Sequence, residues 1–221
     1  MTDRGEAARR LLSFAQTQFG ERLASLLLSG YGERQAVTRR RYAVNYREGG
    51  GQKREVQVEV VSDDPAGLPA REEPLALLAL LRLQLLSRRP LGGSVPYRPR
   101  EMIQTLGWDG VAGRAAVDRA IGRYYDLSFI SHTAAGEAAD KESANRKRVL
   151  RPIMEWGREE DAVGGGRLIV PKDGGVRFNP DFIEGLQDRS LLGIDWDGVN
   201  VITPTEGLFV ERSDVIFTSD N

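Results

Sequence analysis

Between residues 94 and 133 the chain carries a run of local signals that few folds satisfy together. Residues 94–97 form a short strand. Pro99 can open a helix, because its missing N–H falls where a first-turn donor would be unpaired anyway. That helix runs to about Leu106 and meets Gly107, Trp108, Asp109 and Gly110, the residues of a tight turn. A second helical stretch spans 111–125, and 127–133 reads as another strand. Ahead of this run lies the most apolar helix of the chain, over 73–88. There Leu75, Leu78, Leu81, Leu85 and Leu86 line one side, and Leu77, Leu80 and Leu83 widen the stripe. Behind it come a polar loop, 134–145, and a basic strand over 146–156. Helix, strand, helix, turn, helix and a two-stranded wing is the order of a winged helix-turn-helix. The expected fold class is therefore α+β, built on that unit.

On a helical wheel, Val117, Ala120, Ile121 and Tyr124 share the buried face of the second helix. Opposite stand Ala115, Arg119 and Gly122, with Arg114 and Arg123 on the flanks. Small residues and arginine suit a helix that enters a groove about 12 Å wide, where guanidinium can fork onto guanine or neutralise phosphate. Arg98 and Arg100 add charge at the start of the preceding helix, whose backbone N–H groups also favour phosphate. The expected wing brings Lys141, Arg146, Lys147, Arg148 and Arg151, and a third cluster, Arg39, Arg40 and Arg41, precedes a hairpin. These groups predict double-stranded DNA as the partner. Net charge alone, −1, would hide this. Of the 31 basic and 32 acidic residues, 25 and 19 lie before residue 158, leaving 6 and 13 from Arg158 onward. A polyanion would meet the first two thirds.

Three regions follow from the patterning. Residues 1–32 hold an amphipathic helix over 3–29, with Leu11, Leu12, Phe14, Phe19, Leu23, Leu26 and Leu27 at helical spacing. Residues 33–163 hold the winged-helix domain, opened by alternating strands at Tyr42, Val44, Tyr46 and Val56, Val58, Val60. The glycine-rich loop between these strands is not a phosphate loop, since a strand follows it and no Gly-Lys-Ser/Thr opens a helix. Residues 164–221 read as the opening of a second α+β unit, with a hairpin of 168–170 and 176–178 and a short helix from Pro180. Its apolar groups are expected to dock on the first domain or on a second copy.

Little chemistry is available for catalysis. No cysteine is present and His132 is the one histidine, so thiolate metal sites are excluded and a triad would hang on one side chain. Asp195 with Asp197, or Asp63 with Asp64, falls short of the convergent carboxylates a metal nuclease needs. The expectation is a protein that is not an enzyme, with no metal and no cofactor. No apolar run reaches the roughly 18–20 residues of a membrane span, and the N-terminal residues carry no apolar signal core, so a cytoplasmic location is expected.

The stretch from Arg54 to Val58, through Gly67, Leu68 and Pro69 and the leucine-rich helix into residues 97–108, resembles the replication initiator protein A family of plasmids. Residues 176–182 and 194–197 are similar too, so the likeness covers roughly 40–200. The resemblance implies a winged-helix protein that binds repeated sites at a plasmid origin and recruits host replication proteins. Such initiators tend to continue into a second winged-helix-like half, and the arginine-rich helix expected after residue 201 is absent here. A transcriptional repressor, with residues 3–29 as a dimer helix, is the alternative within DNA binding. A winged helix used only for protein–protein interaction is the alternative outside it.

Overall fold

The computed structural model describes residues 3–34, 37–47, 51–87, 90–108, 111–133, 147–157 and 174–204. Six helices and eight strands occur among them: α1 Arg4–Phe19, α2 Glu21–Leu27, β1 Arg39–Arg47, β2 Lys53–Ser62, α3 Pro74–Leu86, β3 Ser94–Pro96, α4 Pro99–Leu106, α5 Val111–Tyr125, β4 Leu127–Thr133, β5 Lys147–Leu150, β6 Ile153–Gly157, β7 Gly175–Phe178, α6 Pro180–Gln187 and β8 Val199–Pro204. All strand pairs are antiparallel, in a five-stranded sheet ordered β5-β4-β2-β1-β8 and a three-stranded sheet ordered β3-β7-β6.

The Asp3 carboxylate caps α1 by accepting from the Gly5 N–H, and Ala7, Leu11, Ala15 and Phe19 form its buried stripe. The helix expected over 3–29 is in fact two. Gly20 sits at φ 79°, ψ 159°, a backbone state that a side chain resists, and the chain turns there before α2. Helix α3 is buried from Pro74 to Leu81 and again at Gln84, which its all-round apolar sequence requires. It packs against α1, α4, α5 and β3. The turn after α4 closes on Gly107 at φ 66°, where a Cβ would come within 2.8 Å of the Arg4 Cα. The start of α1 is therefore pressed onto the α4–α5 turn.

The expected pairing of 127–133 with the start of the basic strand forms, but inside a larger sheet rather than as a separate two-stranded wing. Strand β4 pairs with β2 on one side and β5 on the other, within the five-stranded sheet. The basic strand expected over 146–156 is cut at Pro152, which has no N–H to give a ladder. Its first part, β5, stays with β4, and its second part, β6, crosses to the small sheet and pairs with β7. That small sheet also takes β3 and abuts α5 through β6.

Residues 174–204 are woven into both sheets. Strand β7 lies between β3 and β6, and β8 pairs with β1 from Tyr42 opposite Pro204 to Tyr46 opposite Val199. Helix α6 buries Phe182, Ile183 and Leu186, and the Phe182 ring stacks on Phe129 and Phe178 with centroids 6.0 and 6.4 Å away. One apolar cluster runs from Leu11 to Val199 through both sheets. The 168–170 half of the expected C-terminal hairpin lies outside the described residues.

Candidate nucleic-acid interface

Helix α5 owes its position to its buried face. Val117, Ala120 and Ile121 are fully enclosed and Tyr124 nearly so. The Tyr124 hydroxyl donates to the Leu27 carbonyl at 3.3 Å, and burial, with Glu73 nearby, holds its pKa far above the usual phenol value. The opposite sector is exposed at Arg114, Ala115 and Arg119. Arg114 makes no hydrogen bond or ion pair among the described residues. Arg119 keeps 59% of its side chain exposed, although its Nε lies 3.3 Å from Glu73 Oε1.

Two residues expected on that outward face are covered instead. The Arg123 side chain is only 12% exposed, and its Nη1 donates to Glu73 Oε2 at 2.8 Å and to the Leu68 carbonyl at 3.3 Å. Gly122 lies under the ring of Trp156, which a Cβ would meet at 3.3 Å. The Trp156 indole in turn donates to the Tyr97 hydroxyl at 3.0 Å, so the ring that covers Gly122 is also tied to the segment between β3 and α4. Glu73, at the entrance to α3, escaped the sequence reading. An acid directly before a proline-opened helix was the available signal, but only the fold shows that it holds two arginines of α5.

Helix α4 places Arg98 at its N-cap and Arg100 in its first turn, both exposed. Arg98 reaches Glu101 at 3.3 Å, and Arg100 makes no hydrogen bond or ion pair among the described residues. Arg98, Arg100, Arg114 and Arg119 thus belong to the packed α4–α5 pair.

The remaining expected contacts lie elsewhere. Arg39, Arg40 and Arg41 open β1, opposite Val61, Val60 and Glu59 of β2. Arg40 turns into the interior and pairs with Glu33 at 2.6 Å. Burial works against its charge, but Tyr42 and Glu33 outweigh this and raise its pKa. Arg41 donates to Glu59 at 2.7 Å, and His132 of β4 lies 3.7 Å from the same carboxylate. Burial alone would push the Glu59 carboxyl upward. Arg41, with Arg39 and His132, holds it below the usual glutamate value. Lys147 and Arg148 fall on opposite faces of the edge strand β5, since strand neighbours alternate. Arg148 packs against Gly193 and shares a cleft with Asp181, Glu184 and Asp188. Arg151 pairs with Asp63 at 3.0 Å. Lys141 and Arg146 lie outside the described residues.

Among the described residues no cluster of His, Asp and Glu is arranged to hold a metal, and no helix is long and apolar enough to cross a membrane.

No family model matches the chain, and no curated protein matches it by sequence. The architecture is a mixed α+β fold in which a helical group and a small antiparallel sheet adjoin a larger antiparallel one. Among solved structures it is similar to domains 2 and 3 of RctB. One crystal structure, of RctB 155–483, matches at a TM-score of 0.52 and 16% identity, covering 76% of this chain and 60% of that one. A second, of a selenomethionine derivative of the same two domains, matches at 0.53 and 17%, covering 76% and 63%. The chain thus spans about three fifths of the RctB chains it matches. At this identity the likeness is one of fold.

Proposed function

We propose that this chain binds double-stranded DNA through α4 and α5, as a winged helix-turn-helix replication initiator. One observation carries the reading. Arg98, Arg100, Arg114 and Arg119 stand exposed on a helix pair fixed by a buried core, with the small Ala115 between the arginines of α5. A rigid helix with a slim, cationic outer sector is what the major groove admits. The similarity to domains of RctB, a replication initiator, supports the functional direction. The resemblance of residues 40–200 to plasmid initiator protein A supports the finer assignment to origin repeats, with host replication proteins and a second copy as further partners. In this reading the protein is not an enzyme, needs no cofactor and works in the cytoplasm. The wing is then β6 and β7, which close the small sheet beside α5, in place of β4 and β5.

Selection of bound sequences from random duplex DNA tests this. Directly repeated sites of several turns are the expected result. A short palindrome would make the protein a dimeric repressor. Failure to retain any duplex at low salt would leave the helix pair as a protein-interaction surface and overturn the proposal.

A further inference from the structure

We propose that the cleft between the start of α1, the start of α3 and the flank of α5 is a binding site for a small oligophosphate anion. The cleft holds about 620 Å³, within the roughly 300–1,000 Å³ usual for small-ligand sites. Five arginines line it: Arg4, Arg34, Arg71, Arg119 and Arg123. Two carboxylates oppose them. Glu72 pairs with Arg4, and Glu73 is shared by Arg119 and Arg123. Arg34 and Arg71 are both exposed and have no hydrogen bond or ion pair from their side chains among the described residues. The cleft therefore carries more positive charge than its own acids neutralise.

Two further observations point to an anionic acceptor. The indole Nε1 of Trp108 and the Nε of Arg123 are buried without a hydrogen-bond partner, and both residues wall the cleft. A buried donor without an acceptor costs about 1–3 kcal/mol, so native proteins rarely keep one without a use. Arg71 also holds φ at 55°, a strained state for a non-glycine residue. Its backbone is pinned there, accepting from the Gly32 N–H at 2.8 Å and donating to the Glu33 carbonyl at 3.1 Å. The strain thus holds the Arg71 side chain at the rim of the cleft.

A phosphate chain fits this set better than a single anion. Two arginines without acidic partners and a third, Arg119, with a loosely held one can share several phosphate oxygens. The cleft is concave and Arg123 is recessed within it, which suits a small ligand rather than the convex backbone of a duplex.

The test is titration of the full chain with sodium pyrophosphate at fixed ionic strength, with sodium sulfate as the comparison. Saturable binding of pyrophosphate, stronger than that of sulfate, is expected. In an amide spectrum the Trp108 indole signal should move, while those of Trp156 and Trp196, already bonded to Tyr97 and to the Leu191 carbonyl, should stay. The Arg34→Gln, Arg71→Gly double variant should weaken pyrophosphate by about tenfold or more. Glycine suits the φ of residue 71, so the fold is retained, which a melting curve verifies. Arg47→Gln, on the exposed end of β1, should bind like the wild type. Equal binding of sulfate, an unshifted Trp108 signal, or a double variant that loses duplex affinity but keeps pyrophosphate affinity would each overturn the proposal, the last by assigning the cleft to the DNA backbone.

Discussion

Helix α5 and strand β5 both carry cations, and they hold them in different ways. On α5 the spacing of Arg114, Ala115 and Arg119 keeps all three within one exposed sector, while Val117, Ala120 and Ile121 anchor the other side. On β5 the neighbours Lys147 and Arg148 are thrown to opposite faces, and the strand sits at a sheet edge with the following Val149 54% exposed. A run of basic residues therefore makes a patch on a helix only at the right spacing. On a strand a consecutive run is split. The second difference lies in the acids nearby. Glu73 tethers one flank of α5, while Glu59 engages Arg41 of β1 and Asp63 engages Arg151 beside β5. Arg114 is the α5 cation that no such acid holds among the described residues.

The largest effect should come from the tether. Glu73 is 14% exposed and Arg123 12%, so Glu73→Ala leaves a nearly buried guanidinium without its acid. Breaking such a pair costs about 3–5 kcal/mol, whereas replacing both partners by apolar groups costs far less. Denaturant unfolding should show that loss for Glu73→Ala. Arg119→Ala, with its guanidinium mostly in water, should change stability by less than about 0.5 kcal/mol. Equal losses for the two variants would mean that Arg119 is as much a structural residue as Arg123.

The next effect separates the helix from the strand by DNA affinity. At a selected site Arg114→Ala should lose about 1–3 kcal/mol if the arginine reads a base. Lys147→Ala should cost much less, and at most reduce the salt slope by about one unit through a lost phosphate contact. Binding measured over a salt series distinguishes these. Equal losses would put β5 on the DNA and break the contrast drawn between the two elements.

Much of this arrangement was legible from local signals. The limits of α3, α4, α5 and β4 and the buried face of α5 follow from apolar period, Pro99 and Gly107. Pairing was not legible. Nothing local to 127–133 says that it takes β2 on its other edge as well as β5, since that pairing depends on a hairpin some 70 residues earlier. Pro152 was a visible break in the strand drawn through it, and Gly20 a visible break in the first helix. Both residues punctuate, but periodicity on either side masked them. Strand β8 went unread because its two core contacts, Val199 and Ile202, are thrown out of simple alternation by the bulge opposite Asn45 and Tyr46. For the site, residue type marked the candidate cations, while the inward turn of Arg40 depends on Glu33 across the bend before β1 and that of Arg123 on Glu73, far from it in sequence.

The smallest effect concerns the acid on the open face of the large sheet. Glu59 has its carboxyl held below the usual value, despite burial, by Arg41 with help from Arg39 and His132. A depressed carboxyl stabilises the folded chain above its unfolded pKa of about 4.3, and that contribution is lost as pH falls through the folded value. Arg41 is 37% exposed, so solvent screens the pair and its worth at neutral pH is about 1 kcal/mol or less. Glu59→Gln should therefore melt slightly below the wild type at pH 7, and the gap should close as the pH is lowered through 4 toward 3. Added salt should narrow the gap at pH 7 in the same direction. A gap that stays constant with pH would show that glutamine loses packing rather than charge. In that case the arginines of β1 would be as available to a polyanion as those of α5.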